Sequence, residues 1–191
     1  MSRRSNVAVL TLSLAVTIGL TGCSAVTAAT KSVTSAAGSK SDMFTAPAMT
    51  QALQAIAGKV GASLMKVLEI DLTNVSMDIQ AVDPAKPAEV NDFTFRDGSV
   101  QTPRPVDISG SDPGALEQNI FDSTTIKPDV LAKLIVDAAP ASKIEGAQVK
   151  TLVIKRNTPF STDMQILVNV DGTRATKQVR AKLDGTVTEI V

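Results

Sequence analysis

The sequence predicts an α+β protein: two tandem modules, each a helix packed on an antiparallel sheet, after a signal peptide and a flexible tether. Three observations predict the modules. Apolar residues fall at helical spacing in two separate stretches, each stretch is followed by segments alternating apolar and polar, and Asp-Gly dipeptides, a two-residue hairpin signal, recur between those segments.

In the first module (48–110), Met49, Leu53, Ile56, Val60 and Leu64 share a helical face with Ala52 and Ala57. Gly58 and Gly61 weaken that helix, each by up to about 1 kcal/mol relative to Ala. Ile70-Asp71-Leu72 and Val75 to Gln80 alternate with the period of a strand buried on one side. Asp83-Pro84 to Pro87 reads as a loop, and Val90 to Arg96 carries Phe93 and Phe95 on one face. Asp97-Gly98 turns the chain into Ser99 to Ile108, which Pro103 and Pro105 confine to an edge.

The second module (111–191) opens in a loop-like stretch, with Asp112-Pro113-Gly114 as a turn and no regular element before Asp122. Pro128 suits a first helical turn, and Val130, Leu131, Leu134, Ile135 and Ala138 make an amphipathic helix that Pro140 stops. Strands follow at Gln148 to Arg156 and Asp163 to Val170, then Asp171-Gly172 as a hairpin, Thr173 to Leu183, Asp184-Gly185, and Thr186 to Val191. The order helix, strand, strand, Asp-Gly, strand occurs twice. Asp97-Gly98 and Asp171-Gly172 are separated by the same interval as Val75 and Val149, which reads as an internal αβββ repeat.

The N-terminus carries an address. Arg3 and Arg4 precede an apolar run, Val7 to Leu20. At about 14 residues it is too short for a spanning helix of roughly 20 and suits the core of a secretory signal peptide. The run ends in Leu20-Thr21-Gly22-Cys23, which resembles the lipobox of bacterial lipoproteins. The resemblance implies that Leu20, Thr21 and Gly22 are read by the signal peptidase. Residues 1–22 would be removed and Cys23 would become an acylated N-terminus anchored at the extracytoplasmic side of the cell membrane. The general secretory route is favoured over twin-arginine export, because Asn6 and Val7 match the latter poorly. Cleavage leaves a chain running from Cys23 to Val191, slightly acidic because Arg3 and Arg4 are lost. Residues 23–47, rich in Ser, Thr and Ala, read as a tether reaching about 25–30 Å.

The layout of residues 49–191 also resembles tandem PepSY-like modules and the β-lactamase inhibitor protein fold, each a helix against a short antiparallel sheet. It resembles the mycobacterial LppX/LprG lipoproteins too, through the lipobox, the length and the helix-then-hairpins order. That second likeness implies a lipid-binding cavity. No functional residue is carried over from either group.

Composition narrows the chemistry. The chain has no histidine, one cysteine and equal numbers of acidic and basic residues, 19 each. Imidazole catalysis, histidine-ligated metal sites and intramolecular disulfides are thereby excluded, and no basic field points to nucleic acid. Ser63-Leu64-Met65-Lys66 matches S-x-x-K, but its partner elements are missing and its serine sits at the wrong end of the helix. Asp107, Asp112 and Glu117 lack the spacing of a calcium loop. The expectation is a non-enzyme with no catalytic residue, metal or cofactor.

Charge is distributed unevenly. Val67 to Ile126 holds three basic residues (Lys86, Arg96, Arg104) and eleven acidic ones, whereas Lys143 to Val191 holds eight basic and five acidic. Alternate positions Arg174, Thr176, Gln178, Arg180 and Lys182 share one face of a strand, and Ala175, Val179, Ala181 and Leu183 share the other. Arg174, Gln178, Arg180 and Lys182 are therefore the candidate partner surface. The expected function is binding or regulation of a cell-envelope protein. The alternative is carriage of a lipid or apolar small molecule, with small residues on the first helix opening a cavity.

Overall fold

Proline marks the start of both long helices, where a missing N–H costs nothing. Helix α1 (Ala46–Val60) has Pro47 in its first turn and ends where Gly61 turns left-handed, at φ 81°, its N–H bonded to the Ala57 carbonyl at 3.0 Å. The helix is therefore shorter than its apolar spacing suggests, and Leu64 lies beyond it, 47% exposed. Ala48, Met49, Ala52 and Ile56 form its buried face. The computed structural model describes residues 42–108 and 114–191, all within one compact unit, Gly38–Val191. The signal segment, the lipobox and Cys23 lie outside the described residues. The fold begins earlier than a tether ending at Pro47 implies. Met43 is buried in the core, with its N–H bonded to the Asn74 carbonyl at 3.0 Å.

Strands β1 (Lys66–Thr73), β2 (Ser76–Asp83), β3 (Lys86–Arg96), β4 (Ser99–Val100) and β5 (Arg104–Val106) follow α1. The loop expected at 83–87 is tighter than the prolines suggest. The Asp83 carboxylate accepts the Ala85 N–H at 2.8 Å, and β3 resumes at Lys86. Asp97 and Gly98 both sit at positive φ, 52° and 78°, as a two-residue hairpin twisted like its strands requires. Beyond it Pro103 and Pro105 leave only short edge strands.

A short helix, α2 (Ala115–Asn119), and strand β6 (Phe121–Asp122) occupy part of the stretch read as loop. Helix α3 (Pro128–Ser142) then runs through Pro140 instead of stopping there. Pro140 and Val136, one turn back, are both exposed, so the missing backbone bond falls on the wet side of the helix. Strands β7 (Gln148–Arg156), β8 (Met164–Asp171), β9 (Thr176–Ala181) and β10 (Val187–Ile190) complete the fold. At the last turn the Asp184 carboxylate accepts the Thr186 N–H at 2.9 Å, a bond that holds its pKa below the ordinary value.

The sheet is antiparallel throughout, in the order β10-β9-β8-β7-β1-β2-β3-β4, with β5 on β3 and β6 on β1. The two helix-plus-sheet segments thus join edge to edge through β1 and β7, with Ile70 opposite Ile154 and Leu72 opposite Leu152. Both helices lie on one face over a single core, in which Met49, Ile56, Ile70, Leu72, Leu152 and Ile154 are almost fully buried.

The repeat is real in architecture but not at the predicted offset. The two long helices are equal in length, and one offset carries Ala46 to Pro128, Val60 to Ser142 and Lys66 to Gln148. By that offset β1 corresponds to β7, and in element order β2 corresponds to β8. In element order Asp97-Gly98 then matches Asp184-Gly185, and the repeat is αββββ, one strand longer than predicted. The predicted offset is shorter because it paired hairpins from different places. Asp171-Gly172 joins β8 to β9 through a longer link, and Gly172 does not have a left-handed φ.

Candidate functional site

The sheet face opposite the helices is the candidate site. Its composition follows from strand alternation: each strand that sends one set of side chains to the core presents the other set to solvent. Paired positions trace a row across it, Thr94–Asp78–Asp71–Val153–Leu167–Arg180–Glu189. Asp71 and Val153 lie at the seam and are themselves related by the offset of the repeat, so an approximate two-fold axis passes between them and relates the halves of the face.

The first half is acidic. Asp71 lies directly across from Asp78, and Glu69 lies two positions away on the same strand face. Asp78 accepts hydrogen bonds from the hydroxyls of Thr94 and Ser76, while Glu69 pairs with Lys155 across the seam at 3.4 Å. Burial, followed by the charge of Glu69 and a hydrogen bond to it, then the charge of Asp78, raises the pKa of Asp71 from 3.8 to about 6; Lys155 opposes this. Between about pH 4 and 6 the folded chain therefore holds a proton on Asp71 that the unfolded chain releases. The associated stability is fully present below about pH 4 and is lost as pH rises through 6. Asp71→Asn is expected to raise the melting temperature at pH 7.5 and to flatten its dependence between pH 4 and 6.5. Melting curves across that range check this; an unchanged slope would show that Asp71 does not titrate there.

The second half is a hydrogen-bonded polar lattice. Arg180 donates to Gln178 at 3.1 Å, Gln178 to Asn169 at 3.1 Å, and Asn169 to Thr151 at 2.7 Å. Arg180 also pairs with Glu189 at 2.7 Å. Of the predicted surface residues, Gln178 and Arg180 lie on β9 and share this face, Lys182 lies just past its end beside Arg180, and Arg174 falls in the preceding turn. Val179 and Ala181 are buried on the other face as expected, but Ala175 lies outside the strand and is exposed. Lys177 lies on the same side as Val179, opposite Val170, and its ammonium donates to the Ser142 carbonyl at the end of α3, at 3.2 Å. Ser63 is exposed beyond α1, and Lys66 pairs with Asp122 at 2.6 Å, so nothing joins them as a catalytic pair.

Two pockets open at diagonal corners of this face. One, of about 530 Å³, is lined by Asp78, Thr94, Arg96, Asp97, Gln101, Thr102 and Arg104. The other, of about 260 Å³, is lined by Asp163, Gln165, Arg180, Lys182 and Glu189. Asp71, Asp78, Arg96, Arg104 and Leu167 were not singled out from sequence. The signal was present in the alternation, read from its polar side instead of its apolar one.

Two helices on one side of a continuous antiparallel sheet, with the other side open and polar, define the architecture of this chain. No family model matches it, and no curated protein does. Among solved structures it is similar in fold to a protein of Clostridium difficile 630 described as a "putative lipoprotein". The TM-score is 0.56 over 75% of this chain and 91% of that one, at 13% identity.

Proposed function

We propose that this chain is a membrane-anchored extracytoplasmic lipoprotein, without enzymatic activity, whose open sheet face binds a cell-envelope protein. The observation that carries the binding reading is the division of labour in the sheet. One face is committed to a core under two helices, and the other presents charge, hydrogen-bonding groups and the half-buried Val153 and Leu167 to solvent. A partly apolar centre with a polar rim is the composition of a protein-binding surface. The anchored address rests on the lipobox resemblance at Leu20-Thr21-Gly22-Cys23, and the lipoprotein description of the similar fold agrees with it. The carrier alternative gains less support. The pocket against α1, between Leu53 and Ala57 on the helix and Met65 and Ser123 in the segments beside it, is about 180 Å³, below the roughly 300–1,000 Å³ of ligand sites.

Two experiments test this reading. Cys23→Ala is expected to move the chain out of the membrane fraction, and unchanged sedimentation with membranes would refute the acyl anchor. In-cell photo-crosslinking from position 167 is expected to capture one defined protein, whereas position 136, on the exposed side of α3, captures none. Equal capture from both positions, or none from position 167, would refute the open face as the binding surface.

A further inference from the structure

We infer that the loop at 157–162, with Phe160 at its tip, is a second membrane contact, which enters the bilayer interface and seats the fold on the end of the sheet where β7 turns into β8. The inference goes beyond the binding role of the open face and takes only the membrane itself from the anchored reading.

Phe160 is the most exposed large apolar side chain among the described residues, at 87%. Of the other phenylalanines, Phe93, Phe95 and Phe121 are buried, and Phe44 packs half-buried against the core. The loop that presents Phe160 is tightly bonded. The Phe160 and Ser161 N–H groups both donate to the Asn157 carbonyl at 3.0 Å, and the Asn157 N–H donates to the Asp163 carbonyl at 2.9 Å. Pro159 has no N–H to satisfy. The Thr158 hydroxyl bonds the Asn119 side chain, and Arg156, at the base of the loop, donates to the carbonyls of Ile120 and Thr162. Backbone groups already bonded within the protein lose little when water is withdrawn, which is the condition for entering lipid. A ring held at the tip of a fixed turn also enters without the ordering cost that a slack loop would carry.

The surroundings of Phe160 point to lipid as the occupant. Residues 157–162 include no charged side chain. Residues 60–65, which lead from α1 into β1, include none either, and they carry Leu64, 47% exposed. Strands β1 and β7 are antiparallel neighbours, so the start of one and the end of the other lie at the same end of the sheet. The two uncharged segments are thus about two strand spacings apart, about 10 Å. Val136, the next most exposed apolar side chain, has the Lys133–Asp137 ion pair beside it, and Ile190 follows Glu189, which pairs with Arg180. Neither could enter lipid without stripping water from charges. The tether permits the pose. The fold begins at Met43, bonded to Asn74 just past the far end of β1, and the eight residues of that strand span about 26 Å. A tether reaching about 25–30 Å covers that length, so a chain anchored at Cys23 can stand on its Phe160 end. In that pose the strands run along the membrane normal, and the open face is turned sideways, clear of the bilayer.

The chain has neither tryptophan nor tyrosine, so Phe160→Trp places a single strong fluorophore at the tip of the loop. The full chain, purified from membranes in detergent, is reconstituted into phosphatidylcholine vesicles with and without acyl-brominated lipid. The vesicles are floated, so that only membrane-bound chain is read. Phe160→Trp is expected to emit to the blue of its emission in water and to lose about half its intensity or more to brominated lipid, because an interfacial side chain reaches about 5–10 Å into the headgroup and acyl boundary. Val136→Trp, the exposed control on α3, is expected to show neither change. Water-like, unquenched emission from floated Phe160→Trp would overturn the loop contact and leave the anchor standing. A blue shift without quenching would overturn it in favour of a protein pocket, and equal quenching at both positions would show that the loop is not the contact. A chain that does not float would refute loop and anchor together. Crosslinking from position 167 is independent of all these outcomes, so the open face and the loop fail separately.

Discussion

Leu152→Ala is expected to cost about 2–5 kcal/mol and to destabilise both halves of the protein together. Leu152 is fully buried on β7 and sits opposite Leu72 on β1, at the join between the repeats. Truncating the side chain there leaves a cavity shared by the two halves, and neither can collapse into it without shifting the pairing of Ile70 with Ile154. Against a total stability of about 5–15 kcal/mol, the loss is large. The chain has neither tryptophan nor tyrosine, so far-UV circular dichroism in urea replaces fluorescence as the measurement. Hydrogen exchange locates the effect: amides of β2 and of β8 are expected to lose protection in parallel. Full protection of β2 alongside exchange in β8 would show that the seam does not couple the repeats.

Gly172→Ala is expected to cost about 1–3 kcal/mol, as overpacking does in a site that cannot yield. A Cβ at position 172 would lie 2.2 Å from Ile144 Cγ2 and 2.6 Å from the Glu145 carbonyl oxygen. That carbonyl is fixed by the Thr173 N–H at 3.2 Å, so the backbone cannot retreat without losing a bond. Ile144→Ala in the same chain is expected to recover only part of the loss, because the carbonyl contact remains. Gly58→Ala supplies the contrast. Nothing lies within 4 Å of its added Cβ, and in the interior of α1 it is expected to stabilise by about 0.5–1 kcal/mol. A neutral Gly172→Ala in urea melts would show that the loop relaxes freely.

Gly172 also shows where sequence reading ends. Asp171-Gly172 has the letters of a two-residue hairpin, and Asp97-Gly98 has that conformation, but the glycine at 172 is required by Ile144 and Glu145, on the far side of two strands in the chain. Local chemistry cannot report such a contact. The α+β class, the amphipathic helices and the strand faces were legible because each depends on periodicity within a few residues. Met164, Ile166, Val168 and Val170 fell on one face as their spacing predicted. The pairing of β1 with β7, which makes one sheet from two segments, was not legible: it joins positions in opposite halves of the chain, such as Leu72 and Leu152, and leaves no local trace. The candidate surface was half legible for the same reason. The alternation in β9 identified Gln178 and Arg180, whereas Asp71, Arg96 and Leu167 gain their meaning only from strands laid beside them.

The two edges of the sheet are unequal, and that inequality limits self-association. At one edge β4 and β5 are two and three residues long, and Pro105 lies within β5, with no N–H to offer a further strand. At the other, β10 is a four-residue strand with Val187 and Ile190 partly exposed. Edge-to-edge growth needs two competent ends. A second copy that met this one at β10 would bury the adhesive edge of both and leave only proline-blocked ends outward. Accidental strand exchange would therefore terminate at a pair, with little risk of fibre formation along the sheet.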